Sequence, residues 1–236
     1  MIKSESSTRL TFFLSLYMPK IIPNKTPIAV KRVFSTYIWD FYVKNEKKLY
    51  LTFDDGPIPE VTEFILEKLD QYNAKATFFC IGDNIKKHPA IFHKILSDGH
   101  TIGNHTKNHI KAWKNSLEVY LKNVIDCQNL MLEHTTPSNP NIQQIFRPPY
   151  GQISKSKFKA LQKLGYKIIL WDVLSKDWIH SISPEKCLQN VIKNAQQGSI
   201  IVFHDSKKAS KNLSVVLPEV LDFFTKKGFT FEAIKF

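Results

Sequence analysis

Cysteine is scarce in this chain, and the few present follow no pattern. The 236 residues hold three, Cys80, Cys127 and Cys187. An odd count without C-x-x-C spacing suggests neither a disulfide framework nor a thiolate zinc site. Cys80 stands in an apolar run and reads as a small core residue. Long hydrophobic runs are also missing. The apolar patch from Leu10 to Met18, behind Lys3 and Arg9, has polar interruptions and is too short for a transmembrane helix. No A-x-A-like cleavage site follows it, so support for a secretory signal is weak. Acidic residues are the third shortage: 21 against 33 Lys and Arg, a net charge of +12. Such an excess points to an anionic partner or surroundings, whether nucleic acid, a membrane face or an acidic glycan. The lysines are scattered and form no stripe, and no nucleic-acid motif is present, so nucleic-acid binding is not expected. There is no internal repeat and no low-complexity block.

Apolar material, by contrast, is plentiful. Hydrophobic residues make up 43% and aromatics 12%, enough to bury a sizeable core, and the length suits one large domain or two small ones. The chain is organised around Leu49-Tyr50-Leu51-Thr52-Phe53-Asp54-Asp55-Gly56-Pro57. A run of β-favouring residues leads straight into two carboxylates and is stopped by Gly-Pro. It reads as a buried strand whose carboxyl end delivers Asp54 and Asp55 into a loop. Neighbours on an extended chain point to opposite sides, so one carboxylate can hold a cation while the other handles a proton.

Residues 1–47 read as an irregular leader followed by a cap. The cap, with Pro19, Pro23, Pro27 and an aromatic-rich stretch at 34–42, would pack beside the first strand with one helical stretch. From residue 48 strands and helices alternate. Strands are expected at 49–53, 76–81, 100–103, 145–147, 166–171, 199–203 and 229–234. The helices are expected at 59–72, 84–97, 115–133, 154–164, 184–198 and 213–227, with a loop at 134–144. Val61, Ile65, Leu69 and Tyr72 share one face of the first helix. Alternation of this kind means βαβ units and parallel pairing. Asp54, Asp55, His105, Arg147, Asp177 and His204 all fall at or just after strand carboxyl ends. Their scatter over four or more strands favours the mouth of a (β/α) barrel, distorted and with about seven parallel strands, over the crevice of an open sheet.

His105-Thr106-Lys107-Asn108-His109 places two histidines four apart, which on a helical turn would face the same way and share a metal. With Asp55 they make two imidazoles and one carboxylate, leaving a position for water, the ligand set of a catalytic site. His88, His93, His100, His134 and His180 have no such context and are assigned to surface or packing.

Five stretches stand in one order: T-F-D-D-G-P at 52–57, H-T-K-N-H at 105–109, R-P-P-Y-G at 147–151, D-W at 177–178 and I-I-V-F-H-D at 200–205. In this the chain resembles the polysaccharide deacetylases, the NodB-homology group of carbohydrate esterase family 4. The likeness spans residues 48–236, taken as the catalytic domain. It implies Asp54 as catalytic base, Asp55, His105 and His109 as metal ligands, and Arg147 as the residue orienting the base. Tyr150 resembles the residue whose backbone N–H helps hold the oxyanion. Asp177 looks like the carboxylate tuning the catalytic acid, His204, and Trp178 like a pocket wall. Val202 stands where leucine is common in the family, which implies a slightly wider acetyl pocket. Leu174 stands where many members carry an acidic residue.

The implied activity is metal-dependent hydrolysis of the acetamido group of N-acetylated amino sugars in peptidoglycan, a chitin-like oligomer or a surface glycan. One divalent ion is expected, zinc first, with cobalt or nickel as substitutes. The rival within enzymes is an O-acetyl esterase or a deformylase acting on a sugar. The rival outside them is an inactive, basic glycan-binding protein. Peripheral contact with an anionic envelope fits the charge. The expected compartment is the cell envelope for a wall or surface glycan, with the cytoplasm as the alternative.

Overall fold

A computed structural model describes residues 23–135 and 139–236. Every ladder between its strands is parallel. β1 (Lys48–Asp54) lies at the centre, between β2 (Thr77–Cys80) and β7 (Ile200–His204). Beyond β2 come β3 (Thr101–Asn104), β4 (Ile142–Phe146) and β5 (Lys167–Ile168), while β6 (Val173–Leu174) flanks β7. β8 (Thr230–Phe231) pairs with the start of β1. The helices are α1 (Ile28–Val33), α2 (Val61–Gln71), α3 (Gly82–Lys87), α4 (Pro89–Ser97), α5 (Leu117–Glu133), α6 (Lys155–Lys163), α7 (Pro184–Ile192) and α8 (Ser210–Lys226). None is long and apolar enough to cross a membrane. The sheet curls into the distorted (β/α) barrel that the alternation implied.

The central strands are apolar because both their faces are covered. Phe53 of β1 stacks between Phe78 of β2 and Phe203 of β7, with ring centroids 5.1 and 6.0 Å away. Cys80, Cys127 and Cys187 are free thiols buried among such residues. Serine side chains open three helices: Ser116, Ser154 and Ser183 each accept a backbone N–H from the first turn.

Several elements differ from the sequence expectation. The helix expected over 84–97 is two helices. Pro89 has no N–H to continue the first and bars His88 from helical geometry, so the chain restarts at α4. α7 stops at Ile192 rather than near 198, and the Asn194 side chain donates to the Asn190 carbonyl at its end. The last strand keeps only two paired residues. The helical stretch of the cap is α1, before the aromatic run. Residues 1–22 and 136–138 lie outside the described residues.

The largest difference is at 166–174. A single strand is expected over 166–171, but the chain here passes from one edge of the curled sheet to the other. Ile169 N–H still bonds Phe146 of β4, while Asp172 N–H bonds Ile200 of β7. The seam between these edges is filled by the N-terminal segment. Ile38 pairs with Ile169, Phe41 N–H donates to Gly198 O at 2.8 Å, and Lys25 pairs with Val173. Under the seam, the fully buried Asp172 accepts from Lys25, Lys31 and Ser199. Removing one partner of a buried ion cluster strands the other charges. Asp172→Ala is therefore expected to lower the unfolding free energy by about 3 kcal/mol, measured by urea denaturation. A loss below about 0.5 kcal/mol, the scale of ordinary surface substitutions, would show that this cluster does not hold the seam.

Candidate active site

The ladder register brings the chemistry together. Asp54 at the end of β1 is level with His204 at the end of β7 and Phe79 of β2. His105 follows β3 and Arg147 follows β4, so the strands deliver four functional side chains to one rim. A cleft of about 640 Å³ opens there, lined by Asp54, Asp55, His105, His109, Trp178 and His204 among others.

Arg147 is 0% exposed and runs through the barrel interior. Its Nη1 donates to Asp54 Oδ1 at 2.7 Å and to Thr52 Oγ1 at 2.6 Å. Nε and Nη2 donate to the carbonyls of Ile169 and Leu170, and the guanidinium stacks on Phe79, 4.1 Å from its centroid. Burial alone would raise the Asp54 carboxyl; the Arg147 charge, helped by the neighbouring imidazoles, instead holds it below the usual carboxylate value. Asp54 is thus kept ionised.

Asp55 turns the other way. Its backbone has φ 89°, and Asn84 Nδ2 donates to its carbonyl at 2.7 Å. His105 Nε2 and His109 Nε2 stand 3.6 and 3.3 Å from Asp55 Oδ1. One ligand atom from each of the three residues lies within 4.8 Å of the others. Asp55 Oδ1 is buried and has no hydrogen-bond partner, which a bound cation would supply. His105 Nδ1 is tied to the Arg147 carbonyl at 2.7 Å, leaving Nε2 as its free ligand atom. Burial, then the neighbouring His105, pushes His109 down to about 4, so its imidazole is neutral and able to donate a lone pair. The residues fit a divalent metal. The helical turn expected across 105–109 is absent. Thr106 and His109 take φ of 67° and 59°, and the loop so formed, not a helix face, brings the two rings together.

Across the cleft, Asp177 Oδ1 meets His204 Nδ1 at 2.9 Å and its Oδ2 accepts the His204 backbone N–H at 2.7 Å. Burial would lower this histidine, but the Asp177 charge and hydrogen bond raise it to about 9. Trp178 packs against the His204 ring, centroids 4.6 Å apart. Val202 and Leu174, both buried, line the apolar part of the cleft. Tyr150 sits beside His109, centroids 4.7 Å apart, with φ 62°. Gly151 follows it because a Cβ there would come within 2.2 Å of Trp171.

Every site residue drawn from the sequence lies in or directly behind this cleft. Others were not singled out. The sequence marks Thr52 only as a strand residue. Asp205 belonged to the H-D stretch without a role; it accepts Gly56 N–H and Thr62 O–H, each at 2.8 Å, and so pins the loop behind Asp54 and Asp55. Trp171, Lys111 and Lys208 also line the cleft, and no local pattern marks them. His100 is a packing residue, as assigned: it accepts Ala76 N–H, and burial takes it down to about 4.

Comparison with known proteins supports the same region. A family profile described as polysaccharide deacetylase matches residues 42–169. A peptidoglycan-N-acetylglucosamine deacetylase of Bacillus cereus is 34% identical over 192 residues, covering 80% of this chain and 87% of the relative. A chitooligosaccharide deacetylase of Azorhizobium caulinodans is 36% identical over 162 residues, 69% of this chain and 75% of that one. Among solved structures, a peptidoglycan N-acetylglucosamine deacetylase crystallised with an N-oxidanyl-benzamide ligand superposes with TM-score 0.79 at 31% identity, over 89% of this chain and 95% of the other.

The geometry makes metal binding testable apart from catalysis. Purified protein is expected to take up about one divalent ion, counted by elemental analysis, and Asp55→Asn, His105→Ala or His109→Ala should each weaken that uptake. A His105→Ala/His109→Ala variant that retains stoichiometric metal would mean the ligands lie elsewhere.

Proposed function

The chain belongs to the polysaccharide deacetylase family, and on that premise we propose that it removes acetyl groups from N-acetylated amino sugars of a glycan. Members of the family depend on a metal. The cation held by Asp55, His105 and His109 is zinc in this proposal, the usual ion of a two-imidazole, one-carboxylate set, with cobalt or nickel as substitutes. When bound, the ion would supply Lewis acidity for the acetamido carbonyl and the attacking water.

Asp54 accepts the water proton as general base, and Arg147 fixes both its orientation and its ionised state. The Tyr150 backbone N–H serves the developing oxyanion. Val202 walls the acetyl pocket and Trp178 the side beside His204. When the carbon–nitrogen bond breaks, the departing amine needs a proton. His204 Nε2 gives it, because Asp177 holds Nδ1 and keeps the ring charged at neutral pH. The products are acetate and a free amine on the sugar. One observation carries this reading: a carboxylate held ionised and an imidazole held protonated line the same cleft as the Asp–His–His cluster.

The deciding experiment incubates the metal-loaded protein with N-acetylglucosamine oligomers and peptidoglycan fragments and follows acetyl loss and amine formation by mass spectrometry. Acetate released from O-acetylated sugars without any new amine would replace this reading with that of an esterase. The division between the neighbouring aspartates is testable separately. Asp54→Asn should retain metal and lose about 100- to 10,000-fold in turnover, whereas equal metal loss in Asp54→Asn and Asp55→Asn would refute it.

The pH profile tests the His204–Asp177 pair. The acid must be protonated, so kcat/KM should hold through neutrality and fall as pH rises through about 9. Asp177→Asn removes the charge that stabilises the imidazolium, so the alkaline limb should move to lower pH while the acid limb, set by Asp54, stays in place. An alkaline limb unmoved in Asp177→Asn would take the proton-donor role away from His204.

A further inference from the structure

Two lysines line the cleft without a carboxylate to pair with. Lys111 lies on the His109 side; its Nζ sits 4.8 Å from the centroid of the half-exposed Tyr150 ring, which in turn packs on His109. Lys208 lies four residues beyond His204, on the loop between β7 and α8. Among the described residues neither makes an ion pair, although lysines elsewhere on the surface do, such as Lys94 with Asp98 and Lys122 with Asp126. Among the described residues, the carboxylates lining the cleft are Asp54 and Asp55, and both are engaged: the first by Arg147, the second by the two histidines. The cleft therefore carries two cations to which no described residue supplies a counter-charge. Among the described residues no arginine lines the cleft, and Arg147 behind it is buried against Asp54, so they offer no free arginine fork for bidentate recognition of phosphate. Two separated point charges suit single carboxylates on the sugars to either side of the one that reacts.

We propose that Lys111 and Lys208 make this cleft selective for glycans bearing carboxylates beside the N-acetylated sugar, over neutral oligomers of the chitin type. This rests on the deacetylase reading and adds to it the charge of the substrate. The carboxylate can come from an acid substituent on the sugar itself or from an attached peptide. Both present the same chemistry to an ammonium, and the test separates them.

The test compares kcat/KM for peptidoglycan oligosaccharides with free carboxylates and for the same oligosaccharides after carbodiimide amidation. A third, peptide-free preparation carries only the sugar carboxylate. The metal-loaded wild type is expected to prefer the charged glycan by roughly 3- to 10-fold through KM, the size of two partly exposed ion pairs. The preference should shrink as salt is added. Lys111→Met/Lys208→Met should bring the ratio close to one, and Lys111→Arg/Lys208→Arg should restore it, which a purely structural role would not do. If the preference survives in peptide-free material, the sugar carboxylate is the group recognised; if it disappears there, the peptide carboxylate is. Equal rates on charged and amidated glycan in the wild type, with amine still released, would overturn the inference and leave the deacetylase reading standing. Preference persisting in the double methionine variant would also overturn it. Release of amine from neither glycan would remove the deacetylase reading and the inference with it.

Discussion

The Arg147 guanidinium, buried inside the barrel, is the constraint on which the site depends. Sequestering that charge from water is costly unless every donor finds a partner. Here the partners are Asp54, Thr52 and two carbonyls of the chain crossing the seam, with the Phe79 face beneath. Its own carbonyl takes His105 Nδ1. One residue thus sets the charge state of Asp54, the orientation of the His105 ring and the path of residues 169–170. Lysine could not replace it, since a single ammonium lacks the planar fork that reaches several acceptors at once.

Around that centre the site separates opposite tasks by environment. Asp54 and Asp55 are adjacent and chemically alike, yet one is gripped by a cation of the protein and the other is turned to two imidazoles with an unsatisfied oxygen. Two histidines likewise diverge. His109 is desolvated into its neutral form, while His204 is kept charged by Asp177. Environments that drive like groups apart in pKa are how an enzyme obtains acid and base from a small set of side chains.

The seam ties the N-terminal segment to this chemistry. Thr26 Oγ1 donates to the Trp171 carbonyl, and Lys25 and Lys31 hold the adjacent Asp172. Trp171 lines the cleft, so residues 24–41 brace one of its walls from behind. In a closed ring of regular strands, hydrogen bonds alone would do this. Where β5 and β6 are two residues long, the ion cluster and the added segment make up for the missing ladder.

The sequence by itself determined the alternation of strands and helices, the central strands and the chemical inventory of the cleft. Burial on both faces makes β1, β2 and β7 mostly apolar, and the polar residues at the carboxyl ends of β1 and β7 stand out against them. Pro89 was an available sign of the break between α3 and α4, since its missing N–H acts locally. Tertiary structure alone decided the rest. Two-residue strands have no periodicity to read, so the passage from β5 to β6 was invisible. The convergence of His105 and His109 comes from left-handed loop residues, not from a spacing of four. Asp177 and His204 are separated in the chain by a whole helix and meet because β6 lies beside β7, and the unpaired state of Lys111 and Lys208 is a property of what surrounds them. Local pattern records which face of an element is buried; which partner lies across the cleft is set by register and closure, long-range quantities that no short stretch of sequence contains.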